Sequence, residues 1–210
     1  MMHLTQALIP YEVAARLKLH NAYDWHRLAW DTFPGRPEAE RDFLTRLERQ
    51  EREGRFRLLI LSAARPQRPA PLSEASVEWQ TRMISEKFLG YTAYRFTLRA
   101  NPTKRDNKLR KRVPLLEGDA QREWLNRKAK AAGFRVIAES LRIIPEGRQR
   151  FRDRTQGKAG VHHSVEFAGT LIVEDAESFK VSFERGIGSG KAFGFGLLAL
   201  VPCASPEETQ

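Results

Sequence analysis

The spacing of apolar residues changes along the chain, and each change marks an element. Leu4 to Ile9 has the length and composition of a short strand. Asn21 is placed to cap a helix running to about Asp31, with Asp24 acidic in its first turn, and Pro34, Gly35 and Pro37 stop it. Between Glu38 and Glu53, Phe43, Leu44 and Leu47 form one apolar stripe among charges, which predicts a second helix ended by Gly54. Arg55 to Ala63 reads as a buried strand and residues 65 to 75, with Pro66, Pro69 and Pro71, as a loop. Val77 to Ile84 reads as an edge strand.

A second series begins at Thr92, where Tyr94, Phe96 and Leu98 fall on one side of a strand ending at Arg99. Asp119 to Ala132 has helical spacing through Trp124, Leu125 and Lys128, and Gly133 supplies the stop. Strands follow at Phe134 to Ile144, Gln149 to Arg154 and His163 to Val173, then a helix at Asp175 to Arg185 and a strand at Phe195 to Val201. This β-α-β-β-α-β order is the ferredoxin-like, split βαβ plan. The first half shows βα…ββ without a clear second crossover helix. The pattern therefore predicts an α+β chain of two tandem ferredoxin-like (RRM-like) domains, residues 1–87 and 91–210, the first less regular. A single domain with an extension is the alternative.

Charge narrows the class of partner. The chain has 36 Lys and Arg against 26 Asp and Glu, for a net charge of +10, and 41% hydrophobic residues, enough for a core. Such a balance favours nucleic acid, because neutralising phosphates releases condensed counterions. No apolar run approaches the roughly 18 residues of a membrane span, and Met1 to Glu12 makes a poor signal peptide, so a soluble cytoplasmic protein is expected. Cys203 is the only cysteine, which excludes an intramolecular disulfide and any multi-cysteine zinc site.

On a helical wheel, Ala22, Trp25, Leu28, Ala29 and Thr32 share one side and Tyr23, His26, Arg27 and Trp30 the other. The first stripe is a core face. The second sets a proton shuttle, a phenol and a cation together, although a histidine and a tyrosine on a helix more often pack or cap. Arg27 is a candidate for holding phosphate oxygens. His20 and His26 lie about 240° apart by helix geometry, and adjacent His162 and His163 point to opposite faces of a strand, so neither pair resembles a metal site. No metal and no cofactor is expected. RNA carries its own nucleophile, the 2′-hydroxyl, and needs only positioning, proton transfer and charge stabilisation.

Three further stretches are cationic or glycine-rich. Arg148, Arg150, Arg152 and Arg154 occupy alternate positions, so a strand puts them on one face of a hairpin arm whose turn includes Gly157, Lys158 and Gly160. A solvated edge strand guarded by charge is the alternative. Lys104, Arg105, Lys108, Arg110, Lys111 and Arg112 make a basic loop suited to phosphates. Gly186, Gly188, Gly190, Lys191, Gly194 and Gly196 form a glycine-rich loop. It lacks the first glycine and the final Ser or Thr of a Walker loop, and it follows a helix and precedes a strand, the reverse of the Walker order. Its glycines permit tight turns beside a phosphate or another segment.

Taken together, these segments resemble a known family. Gly186-Ile187-Gly188-Ser189-Gly190-Lys191-Ala192-Phe193-Gly194-Phe195-Gly196-Leu197-Leu198 is similar to the signature loop of CRISPR repeat-processing ribonucleases. Tyr23-Asp24-Trp25-His26 with Trp30 to Pro37, Arg95 to Lys104, and Lys111 to Leu115 resemble segments of the CasE family of the type I-E Cascade complex, in the same order. The resemblance implies a metal-independent endoribonuclease of two ferredoxin-like domains. Such an enzyme cleaves precursor CRISPR RNA at the base of the repeat stem-loop, leaves a 2′,3′-cyclic phosphate and a 5′-hydroxyl, and keeps the guide RNA. It implies His26 as catalytic histidine with Tyr23 beside it, the Arg148 to Arg154 arm on the RNA stem, and other Cascade subunits as partners of a chain that is monomeric when isolated. A non-catalytic stem-loop RNA-binding protein is the alternative.

Overall fold

The computed structural model describes residues 1–35, 41–108, 110–152 and 159–203. The chain forms two compact units, one of Met1–Ser85 with Arg150–Gly160 and Ala192–Gly194, the other of Glu86–Gln149, Val161–Lys191 and Phe195–Gln210.

The first unit opens with β1 (Met2–Pro10), followed by a short α1 (Tyr11–Arg16) and by α2 (Ala22–Trp30). Strands β2 (Phe43–Gln50), β3 (Arg55–Ser62) and β4 (Glu78–Ile84) complete an antiparallel sheet in the order β2-β3-β1-β4. This is the ferredoxin-like strand order, and it leaves β4 at an edge. The second crossover helix of that plan is missing. Three prolines interrupt the segment, whose regular part is a single 3-10 turn at Ala70–Leu72. The Arg68 guanidinium organises it by donating to the carbonyls of Leu72, Glu74 and Val77 at 2.6–2.8 Å.

The helix predicted over Glu38 to Glu53 is corrected for its described part: residues 43–50 are strand, and 36–40 lie outside the described residues. Phe43, Leu44 and Leu47 fit a helical stripe, but Phe43, Thr45 and Leu47 also fit a strand face. Pairing decides between them. β2 runs opposite β3 from Phe43↔Ser62 to Gln50↔Arg55, and Glu48 pairs ionically with Arg57 directly across the ladder. Gly54, at φ 62°, turns that hairpin rather than ending a helix.

The second unit contains α3 (Glu86–Leu89), β5 (Ala93–Ala100), a hairpin of β6 (Thr103–Asp106) and β7 (Lys111–Pro114), α4 (Gly118–Ala131) and β8 (Phe134–Val136). It continues with β9 (Arg142–Arg152), β10 (Ala159–Val173), α5 (Ala176–Arg185) and β11 (Leu198–Pro202). Its sheet has the order β11-β5-β10-β8, again ferredoxin-like, with β9 also paired to β10. Tyr94, Phe96 and Leu98 of β5 and Phe167 and Leu171 of β10 are buried, as are Trp124, Leu125 and Phe179 of the helices. Trp124 stacks on Phe167 at 5.8 Å and Tyr94 lies 5.5 Å from Phe179, so both helices pack on the same face of the sheet.

The strand predicted over Phe134 to Ile144 is broken. Ser140, in a 3-10 turn at Ala138–Ser140, accepts the Thr170 amide on its hydroxyl at 2.8 Å and donates that hydroxyl to the Ile137 carbonyl. The side chain thereby substitutes for one rung of the ladder.

Candidate functional site

Helix α2 is fixed at its start and along one face. The Asn21 side chain accepts from the Tyr23 and Asp24 amides at 2.9 and 3.2 Å, and the Asp24 carboxylate accepts from the Asn21 amide, a complete capping box. Trp25, Leu28 and Ala29 are buried in a core shared with Ala7, Ile9, Leu58 and Ile60 of the sheet. Burying a side chain such as Leu28 contributes about 1.5–3 kcal/mol, which anchors the helix against rotation. The opposite stripe is thereby held at the surface: Tyr23 and His26 are half-buried and Arg27 is exposed.

His26 sits in an aromatic cradle. Its ring lies 6.1 Å from Trp30 and 6.2 Å from Phe43, and Phe43 in turn stacks on Phe33 at 4.9 Å. The Trp30 indole N–H donates to His26 Nε2 at 3.0 Å. An indole nitrogen only donates, so Nε2 carries a lone pair and the neutral ring holds its proton on Nδ1. Nδ1 is buried and has no hydrogen-bond partner among the described residues. Burial, and secondarily the Arg41 guanidinium, push the His26 pKa down to about 4.

That depression sets a sign for stability. Between pH 6.5 and about 4 the unfolded chain takes up a proton on His26 that the folded chain refuses. The contribution is present in full above 6.5 and is lost as pH falls through the folded value. The urea midpoint should therefore drop from pH 7 to pH 4.5, and His26→Gln should make that drop smaller. An identical pH slope in the variant would show that the folded ring titrates normally. His162, also lowered by burial, acts in the same direction and remains in the variant.

Arg27, beside His26 on α2, is exposed. It lines a cleft with Lys18, His20, Asp24 and Asp31. The cation that acts electrostatically on His26 is Arg41, half-buried just before β2, its own pKa lowered by burial. Reading this segment as a helix hid it. Arg41 lies two residues before Phe43, which begins β2 and packs in the core that α2 shares.

In the second unit, the predicted basic loop is a two-stranded hairpin, β6 with β7. Lys104, Arg105, Lys108, Arg110, Lys111 and Arg112 are all exposed on it, and Arg105 stands directly opposite Arg112. Like charges facing each other across a ladder are unfavourable without a counter-anion. In the arm, Arg148, Arg150 and Arg152 fall in β9 at alternate positions, which share a face by backbone register, and Arg148 is exposed. Arg154 and Lys158 lie outside the described residues. The start of the arm is pinned where Glu146 of β9 accepts a two-point bond from Arg99 of β5, each at 2.6 Å, and another from the Ser164 hydroxyl of β10.

The glycine-rich loop follows α5 and precedes β11. Gly186, Gly188, Gly190, Gly194 and Gly196 all have positive φ, between 75° and 90°. Its ends are clasped by Ile187 N donating to Gly196 O and Gly196 N to Arg99 O, both at 2.9 Å. The Lys191 ammonium donates to the Arg185 carbonyl, inside the loop. Among the described residues no group of three His, Cys, Asp or Glu side chains is placed to hold a metal ion. None of their helices is long and apolar enough to cross a membrane.

The chain is similar to known proteins along nearly its whole length. The model of a family described as CRISPR associated protein matches residues 2–202. The chain is 33% identical to the CRISPR system Cascade subunit CasE of Escherichia coli, over 96% of this chain and all of the relative. It is 31% identical to the CRISPR-associated endoribonuclease Cse3 of Thermus thermophilus, over the same shares. A structure of Thermus thermophilus Cse3 bound to an RNA representing a pre-cleavage complex is 30% identical and covers 96% of this chain and 99% of that one, with a TM-score of 0.81. With two ferredoxin-like sheets in tandem and a match to these relatives along nearly its whole length, the chain belongs to the CasE family of CRISPR-associated proteins.

Proposed function

We propose that this protein is a metal-independent endoribonuclease that cuts precursor CRISPR RNA at the base of the repeat stem-loop, keeps the guide RNA and acts as a Cascade subunit. The observation that carries the reading is the end-to-end match to relatives named as a Cascade subunit and as an endoribonuclease. The residues of α2 supply a chemistry that suits it. The 2′-oxygen attacks the adjacent phosphorus, the P–O5′ bond breaks, and a 2′,3′-cyclic phosphate and a 5′-hydroxyl result. One proton must leave the 2′-hydroxyl and one must reach the 5′-oxygen.

His26 serves this transfer. With a pKa near 4 the ring is neutral at pH 7, and Nε2 is a base once the Trp30 N–H releases it. A buried donor left without a partner costs about 1–3 kcal/mol, which favours a turn of the ring out of its aromatic cradle so that Nδ1–H meets a phosphate oxygen or hydroxyl when RNA binds. The incoming negative charge opposes Arg41 and raises the ring's pKa toward the working range. Arg41 takes the charge-stabilising part for which Arg27 was a candidate. Tyr23, one turn before His26, orients or supports it.

The cationic surfaces hold the substrate. The β6–β7 hairpin presents six exposed cations, and the face of β9 bearing Arg148, Arg150 and Arg152 follows the phosphate backbone. The glycine-rich loop brings backbone close to a phosphate. Incubation with stem-loop repeat RNA in excess EDTA tests the proposal. Cutting at one position at the base of the stem is expected. RNA that is bound and left whole, with or without added magnesium, would identify a non-catalytic stem-loop binder instead.

A further inference from the structure

A second imidazole, outside the proposed catalytic helix, is built into the support of the glycine-rich loop. Asn101, buried just after β5, accepts the His163 amide on Oδ1 at 3.2 Å. Because a backbone N–H only donates, this bond fixes which end of the side-chain amide is oxygen, and Nδ2 is the group that donates to His162 Nδ1 at 2.8 Å. His162 therefore carries its proton on Nε2. Its ring meets the fully buried Phe195 edge-on at 5.5 Å. Phe195 in turn closes on Gly190, where an added Cβ would sit 3.0 Å from Phe195 and 3.8 Å from His162. Two residues before Asn101, the Arg99 carbonyl holds the far end of the loop through Gly196 N.

The loop is thus registered to the end of β5 twice, once by a backbone bond and once through Asn101, His162 and Phe195. An aliphatic side chain would fill the same space at lower desolvation cost, but it would not fix an orientation. The polar chain is directional, and a directional brace matters where a loop must meet a ligand in one pose.

We propose that His162, oriented by Asn101, is a positioning residue that sets the glycine-rich loop in the pose that grips RNA phosphates. This rests on the reading of that loop as an RNA contact. His162 touches no reacting atom in this scheme, so its loss should weaken binding and spare the chemical step.

The test uses the full chain with stem-loop repeat RNA. His162→Phe keeps the volume and removes the acceptor. His162→Asn restores an acceptor near the position of Nδ1. The Phe variant should raise Kd about tenfold, the scale of one lost hydrogen bond, and leave the single-turnover rate at saturating protein within about twofold. The Asn variant should recover most of the affinity. Wild-type affinity in the Phe variant, or a fall in the saturating rate that the Asn variant does not reverse, would overturn the proposal. Imidazole ¹⁵N shifts of the wild-type protein supply an arm independent of variant folding: His162 should show the Nε2–H form, and the Nδ1–H form would contradict the brace. Failure of the wild-type protein to bind the RNA at all would instead overturn the functional reading on which the proposal rests.

Discussion

A repeat RNA with 2′-deoxyribose at the cleavage position is expected to bind with nearly unchanged affinity and to remain uncut. The proposed chemistry takes its nucleophile from the substrate, and removing one oxygen removes the attacking group. The cationic β6–β7 hairpin and β9 are proposed to contact phosphates, which the deoxy substitution leaves in place. The expected effect is therefore the largest available from a single atom: loss of the chemical step with retention of the complex. Gel mobility and a cleavage time course on the same sample check both halves. Cleavage of the deoxy substrate at an ordinary rate would require an external nucleophile, and the proton-transfer role given to His26 would no longer describe the reaction.

The second large effect is expected from His26→Ala. General acid–base catalysis by a positioned side chain contributes about 10²–10⁴ in rate, so the single-turnover rate at saturating protein should fall by that range while stem-loop affinity stays within a few fold. The helix should survive the change. Its cap is made by Asn21 and Asp24, and its buried anchors are Trp25, Leu28 and Ala29. Trp30 loses its acceptor, but its ring still packs on Phe43 at 5.0 Å. A normal rate in this variant would remove His26 from the mechanism. A parallel collapse of affinity would mean that the ring supports binding rather than proton transfer.

Much of this architecture could be read from local signals. The capping box of α2 lies within four residues, the wheel separates Trp25, Leu28 and Ala29 from Tyr23 and His26, and Trp30 falls one turn after His26 on the same stripe. Their hydrogen bond follows from helix geometry. The alternation of Tyr94, Phe96 and Leu98 identifies β5 in the same way. The failures share a different cause, namely contacts between residues distant in sequence. Leu, Arg and Glu are good helix formers, and in residues 43–50 they satisfy a helical stripe as well as a strand. Only the ladder to β3, with Glu48 opposite Arg57, selects the strand.

The missed site residues depend on that same long-range order. Arg41 acts on the His26 pKa from just before β2, and a helix over Glu38 to Glu53 gave no reason to set it near α2. Asn101 and His162 are 61 positions apart, and no spacing rule connects them. Adjacent histidines in a strand point to opposite faces. That observation argues against a metal pair but does not show that one of the two rings braces a loop.

In the proposed reaction the RNA's own hydroxyl severs its backbone, with protein side chains moving the protons. End-group analysis of fragments from stem-loop repeat RNA cut in EDTA tests this most directly. The upstream fragment should end in a 2′,3′-cyclic phosphate and the downstream fragment should begin with a 5′-hydroxyl. A 3′-hydroxyl paired with a 5′-phosphate would mean that water attacked the phosphorus, and would contradict the account.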